Sequence, residues 1–158
     1  NLITMSSIEP FFLKYGESHQ NPTNKTIHWI CVPLIFFSLM GLLYLIPFPI
    51  DKTWYLNWAS ILLLAGLIFY LFHSRTIFLG FVVISFIVLK GVESLTSGFQ
   101  ENIVFNILLG IFVIAWVGQF IGHKIEGKKP SFLDDAKYLL IGPAWLLHFI
   151  YKKFGIPY

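Results

Sequence analysis

The sequence predicts an all-α integral membrane protein with about four transmembrane helices and a C-terminal re-entrant or interfacial helix. Three observations carry that expectation. Of 158 residues, 56% are hydrophobic and 12% charged, against roughly 25% charged in soluble domains, and the mean hydropathy is +0.73. The apolar residues fall in blocks near the length of helix, about 20 residues, that crosses a bilayer. Lysine and arginine sit mainly in the short polar segments between blocks, where they set orientation. No soluble module stands apart, so residues 1–158 read as a single multi-pass membrane domain.

The first block, 29–46, is closed by Pro47-Phe48-Pro49, and Pro33 belongs in its early turns or kinks it. Asn21-Pro22 supplies a start signal ahead of it, with Asn21 as N-cap and Pro22 at the first helical position. The second block, 54–72, opens with the interfacial aromatics Trp54, Tyr55 and Trp58 and ends at His73-Ser74-Arg75. The third, 77–92, is shorter and pairs with the second as a hairpin, Lys90 snorkelling to the interface. The fourth, 103–122, carries Asn106 and Gln119 and ends in Gly118-Gln119-Phe120-Ile121-Gly122, a spacing of small residues that permits close helix contact. Beyond the Gly127-Lys128-Lys129-Pro130 loop, residues 138–151 are apolar but short and are interrupted by Gly142-Pro143, which predicts a re-entrant or interfacial helix.

A net charge of +3 is spread over short loops without a dense basic patch, which argues against nucleic acid as a partner. The one cysteine, Cys31, lies in the first block, so no intrachain disulfide can form. Residues 1–5 have no basic n-region or cleavage motif, and the first block runs too long for a signal peptide. With the N-terminus cytoplasmic, that side receives Lys14, Lys25, Arg75, Lys124, Lys128 and Lys129, and the far side Lys52 and Lys90. A bacterial inner membrane and an endoplasmic reticulum both fit this topology.

The same orientation puts His19, His28, His73 and His123 on one face, and a re-entrant last segment returns His148 toward it. Imidazole is the commonest protein ligand for iron and zinc, so neutral nitrogens gathered at one bundle mouth predict a metal cage. His19, His28 and His123 come from two separate chain regions. Asn24 precedes His28 by one turn and Gln119 precedes His123 by one turn, placing both to orient an imidazole. Glu126, three residues after His123, can complete a two-histidine, one-carboxylate set or stand as an exposed acid.

The stretches HQNPTNKTIHWICVP and WVGQFIGHKIEGKKPSFLDD resemble the two signatures of the 2-hydroxy fatty acid dioxygenase family, small multi-pass proteins linked to phytosphingosine breakdown in fungi. The resemblance covers about residues 11–155, the middle matching in hydropathy only. It implies that His19, His28 and His123 are catalytic and hold Fe2+, and that Asn21, Pro22, Asn24, Gln119, Gly122 and Pro130 fall in the motif. Fungal-type members carry one more residue between the second-signature histidine and its glutamate, which weakens Glu126 as a ligand. His73 has no counterpart and reads as interfacial; His148 is a candidate fourth ligand or substrate contact.

The implied activity is α-oxidation of a 2-hydroxy fatty acid by O2 to an acid one carbon shorter. Such a substrate chelates Fe2+ through its carboxylate and hydroxyl, if the protein supplies only three or four ligands. Lys14, Lys128 or Lys129 would draw the carboxylate in, with the acyl chain between helices. The same histidines can hold zinc in a purified sample. A bis-histidine haem protein, a zinc-dependent lipid enzyme and a membrane transporter or scaffold are the competing readings. Acyl length and oligomeric state are not encoded in any motif.

Overall fold

The computed structural model describes residues 8–127 and 138–158, and all regular structure among them is helical. Helix α1 spans Glu9–Gly16, α2 Pro22–Leu45, α3 Trp58–His73, α4 Arg75–Gly98, α5 Glu101–Ile125 and α6 Ile141–Phe154. The first of these carries too little apolar sequence to register as a block, yet Phe12 and Tyr15 on its inner face are buried.

Local chemistry sets the boundaries. Asn21 caps α2 by accepting from the backbone N–H groups of Thr23 and Asn24, with Pro22 opening the helix and its missing N–H costing nothing there. The result is a helix seven residues longer at its start than the apolar block. The expected start of the second crossing at Trp54 is corrected by Asn57. Its side chain accepts from the Ser60 N–H while Ser60 returns a bond to the Asn57 N–H, a reciprocal box that begins α3 at Trp58. Sixteen residues give α3 a length of about 24 Å. Helices α2, α4 and α5 are long and apolar enough to cross a membrane, and α3 falls short of that length. Ser74 caps α4 through the Ile77 N–H and leaves one residue between α3 and α4, so the pair turns back sharply.

Helices α2 and α5 share the most extensive interface. An added Cβ at Gly118 would lie 2.6 Å from Cys31 Sγ, one at Gly41 would lie 2.6 Å from a Leu108 methyl, and one at Gly122 would collide with Asn24 Oδ1. Contacts that run 24 with 122, 31 with 118 and 41 with 108 make the two helices antiparallel, with side chains absent where the backbones meet. On the other flank, Phe36, Met40, Leu63, Tyr70 and Phe81 form a core of α2, α3 and α4 against α1 and α6. The Tyr70 hydroxyl donates to the Leu140 carbonyl and that of Tyr151 to the Thr76 carbonyl at 3.0 Å, so α6 is tied to α3 and α4. Ile68, Phe72, Val83, Ile87, Ile114 and Val117 face outward, as expected of a helix bundle whose solvent is lipid.

Candidate metal centre

The antiparallel α2–α5 pair brings the start of one helix beside the end of the other, and there the histidines meet. One ligand atom from each of His19, His28 and His123 lies within 4.8 Å of the other two. Ring centroids are 4.1 Å apart for His19 and His28, 5.1 Å for His28 and His123 and 5.4 Å for His19 and His123. All three side chains are buried.

Each ring from the first signature is aimed by a carbonyl four residues upstream. His28 Nδ1–H meets the Asn24 carbonyl at 3.0 Å, and His19 Nδ1–H the Tyr15 carbonyl at 2.6 Å. Donation through Nδ1 leaves the Nε2 lone pair for a ligand. His28 Nε2 is buried without a hydrogen-bond partner among the described residues, a costly arrangement that an ion would relieve. Three imidazoles around one point suit iron or zinc. They suit a single ion better than a haem, whose two axial nitrogens stand on opposite faces of a macrocycle.

The supporting residues differ from the sequence expectations in instructive ways. Asn24 orients His28, but with its main chain; its side-chain amide donates to the Ser18 carbonyl and to Glu126 Oε2, each at 3.0 Å. Glu126 is neither in the metal group nor a free surface acid. Its carboxylate accepts from the Gln20 and Asn21 N–H groups, both at 2.8 Å, as well as from Asn24. One turn beyond His123, it therefore clamps the segment that carries His19 and starts α2. Burial pushes the Glu126 carboxyl up, but the Asn24 amide and the two N–H groups outweigh it and hold the group below its ordinary value. Gln119 is buried one turn before His123, beside a cavity of about 20 Å³ that it lines with Tyr15, Trp116 and Gly142.

His148 does not join the cluster. Its Nδ1–H is held by the Trp145 carbonyl, its ring stacks on Phe12 at 4.9 Å, and the Trp145 ring lies 6.0 Å from it and 5.2 Å from that of His19. Burial lowers its tendency to take a proton. His73 also stays outside, bonded to the Phe69 carbonyl at 2.7 Å and packed against Phe11. Of the lysines expected at the mouth, Lys14 is exposed on α1, and Lys128 and Lys129, with Pro130, lie outside the described residues. Two aromatic neighbours carried no sequence signal of their own. Tyr15 stacks on His19 at 4.3 Å, and Trp145 reaches the same ring from α6. The i, i+4 spacing of Tyr15 and His19 lies in the sequence, but not the turn after α1, where the His19 N–H meets the Gly16 carbonyl at 3.0 Å and the ring folds back over Tyr15.

Comparison with known proteins follows the histidine signatures. The family model described as 2-hydroxy-palmitic acid dioxygenase Mpo1-like matches residues 5–154. A Saccharomyces cerevisiae protein named 2-hydroxy-palmitic acid dioxygenase MPO1 is 28% identical over 148 residues, which cover 90% of this chain and 79% of that protein. No solved structure matches.

Proposed function

Because the chain belongs to the Mpo1-like family, we propose that it is an Fe2+-dependent dioxygenase that converts a 2-hydroxy fatty acid to the acid one carbon shorter. The observation that carries this reading is the convergence of His19, His28 and His123 at one end of an apolar helix bundle. These three residues would hold the ion. Bound Fe2+ would supply a chelation point for the substrate's carboxylate and hydroxyl and the redox chemistry with O2. The balance closes with carbon dioxide and water as the other products.

The protein's own part is geometric and dielectric. The Tyr15 and Asn24 carbonyls fix the Nδ1–H tautomers of His19 and His28, so both rings present Nε2 without a tautomer change. Tyr15 and Trp145 cover His19 and keep water from the centre, which matters for a reactive oxidant. Three histidines leave room around an ion for a bidentate substrate and a further ligand, the logic of non-haem oxygenase sites with open positions.

The test is anaerobic loading of the detergent-purified protein with Fe2+, then O2 and 2-hydroxyhexadecanoic acid, with products read by mass spectrometry. A C15 acid formed only with both iron and oxygen supports the proposal. Retention of stoichiometric zinc with turnover independent of O2 would replace it with a hydrolytic reading of the same cage.

A further inference from the structure

The small cavity beside Gln119 is built from all three segments that carry the histidines. Its α2 walls, Val32 and Ile35, lie four and seven residues after His28, and its α5 walls, Gln119 and Trp116, lie four and seven before His123. Residues so spaced share a helix face with the histidine. Helix α2 starts at the centre and α5 ends there, so both pairs lie on its bundle side. At 1.5 Å per residue, Val32 and Gln119 stand about 6 Å deeper than the histidines, and Ile35 and Trp116 about 10 Å deeper. From α1, the Tyr15 ring touches both places: it lines the cavity and stacks on His19 at 4.3 Å.

Size and lining select the occupant. The volume of about 20 Å³ exceeds the roughly 10–15 Å³ that one water needs. It is far below the roughly 300 Å³ at which sites for larger ligands begin, so an acyl chain does not enter. Val32, Ile35 and Leu139 present only carbon, and small apolar cavities stay dry and take up neutral gas atoms such as xenon. Gly142 of α6 leaves the space open, since an added Cβ there would lie 3.2 Å from a Val32 methyl and 3.4 Å from the Tyr15 hydroxyl. Gln119 departs from this lining. It is 5% exposed, and its amide makes no hydrogen bond among the described residues. An idle buried amide costs free energy, a cost that is offset where a preorganised donor meets negative charge that appears only during a reaction.

We propose that this cavity is the O2 pocket of the histidine centre. O2 is neutral, only two atoms long, and prefers apolar surroundings to water. The Gln119 N–H donates to the oxygen that gains negative charge as the 2-hydroxy acid is oxidised and O2 is reduced. The choice of O2 rests on the proposed dioxygenase function, and the place of the pocket on its geometry alone.

Xenon probes the pocket without turnover. Xenon NMR is recorded on the full chain in detergent, for the wild type, for Ile35→Phe, which fills the cavity two turns from His28, and for Gln119→Leu, with Co2+ binding as the check of the fold. The wild type should bind xenon saturably and Ile35→Phe should not. After loading with Fe2+, Ile35→Phe should raise KM for O2 about tenfold, the equivalent of about 1.4 kcal/mol of binding, and leave KM for the 2-hydroxy acid unchanged. Gln119→Leu should keep xenon and the KM for the acid, and lower kcat about 100–1,000-fold, as loss of a preorganised donor does. If Ile35→Phe fails to bind Co2+, the Gln119→Leu kinetics decide. No saturable xenon binding in the wild type, or equal binding in Ile35→Phe with Co2+ binding intact, overturns the pocket and leaves the proposed function standing. A long-lived buried water, read by deuteron relaxation and lost in Gln119→Leu while the O2 kinetics of both variants are unchanged, marks a structural water site and overturns it too. A wild type that binds xenon there but consumes no O2 with a 2-hydroxy acid overturns the function and the O2 assignment together.

Discussion

At the scale of single residues, the centre divides into groups that point at one place and groups that hold them there. His28→Ala removes a buried ligand atom and should abolish stoichiometric Co2+ binding, read from the visible absorption bands; His148→Ala should keep them, because its ring lies outside the group of three. Glu126 acts at one remove. Glu126→Ala strips the acceptor from two backbone N–H groups and the Asn24 amide, and should cost about 1–3 kcal/mol of stability and about 10–100-fold in Co2+ affinity. Glu126→Asp should recover part of the affinity if the role is positioning. The carboxyl has a folded pKa below its unfolded value, near 4.3. Its contribution is therefore full above that pH and is lost as pH falls through the lower folded value. Apo-protein melts should show no dependence on Glu126 charge between pH 6 and 8.

At the scale of elements, the site depends on how closely α2 approaches α5. The closest approach is made by Gly118 and Gly122 facing Cys31 and Asn24. Gly122→Ala places a methyl group against the Asn24 amide and His28, and should cost about 1–3 kcal/mol as overpacking, measured as a lower thermal midpoint in detergent. It should also weaken Co2+ binding, whereas Gly110→Ala on the same helix, where the added Cβ meets nothing within 4 Å, should leave both unchanged. Helix α3 makes a different point. Its apolar block extends to Trp54, but the Asn57–Ser60 box starts the helix four residues later, because two satisfied N–H groups outweigh the propensity of the residues before them.

At the scale of the whole molecule, an ion held by the three histidines would stabilise the bundle. A ligand present at 100 times its dissociation constant adds about 2.7 kcal/mol to a protein that binds it only when folded. Saturating Co2+ should therefore raise the melting midpoint of the wild type, and leave that of His123→Ala where it was. Phe11 on α1 packs against Phe69 and His73 at the end of α3, so the Ser74 turn lies at the same end of the bundle as the histidine centre. Reagents confined to one side of the membrane should label cysteines placed at Arg75 and at Lys14 alike, and not one placed at Lys52.

The sequence by itself determined the helical class, the polar starts and stops at Asn21 and Ser74, the small residues on α5, the family, and the three histidines as a set. These are local or periodic features: a cap needs only its next three residues, and the two signatures each fit within about twenty. Tertiary structure decided what those residues do to one another. Glu126 became a clamp rather than a ligand because the α5 end faces three N–H donors from a segment about a hundred residues earlier. Asn24 spent its side chain on that clamp, leaving its carbonyl for His28. His148, apt by residue type, was left outside the group of three because its place on α6 stacks its ring on Phe12 and turns Nδ1–H to the Trp145 carbonyl. Such outcomes depend on which donors and volumes meet across helices, and no periodicity within one helix encodes them.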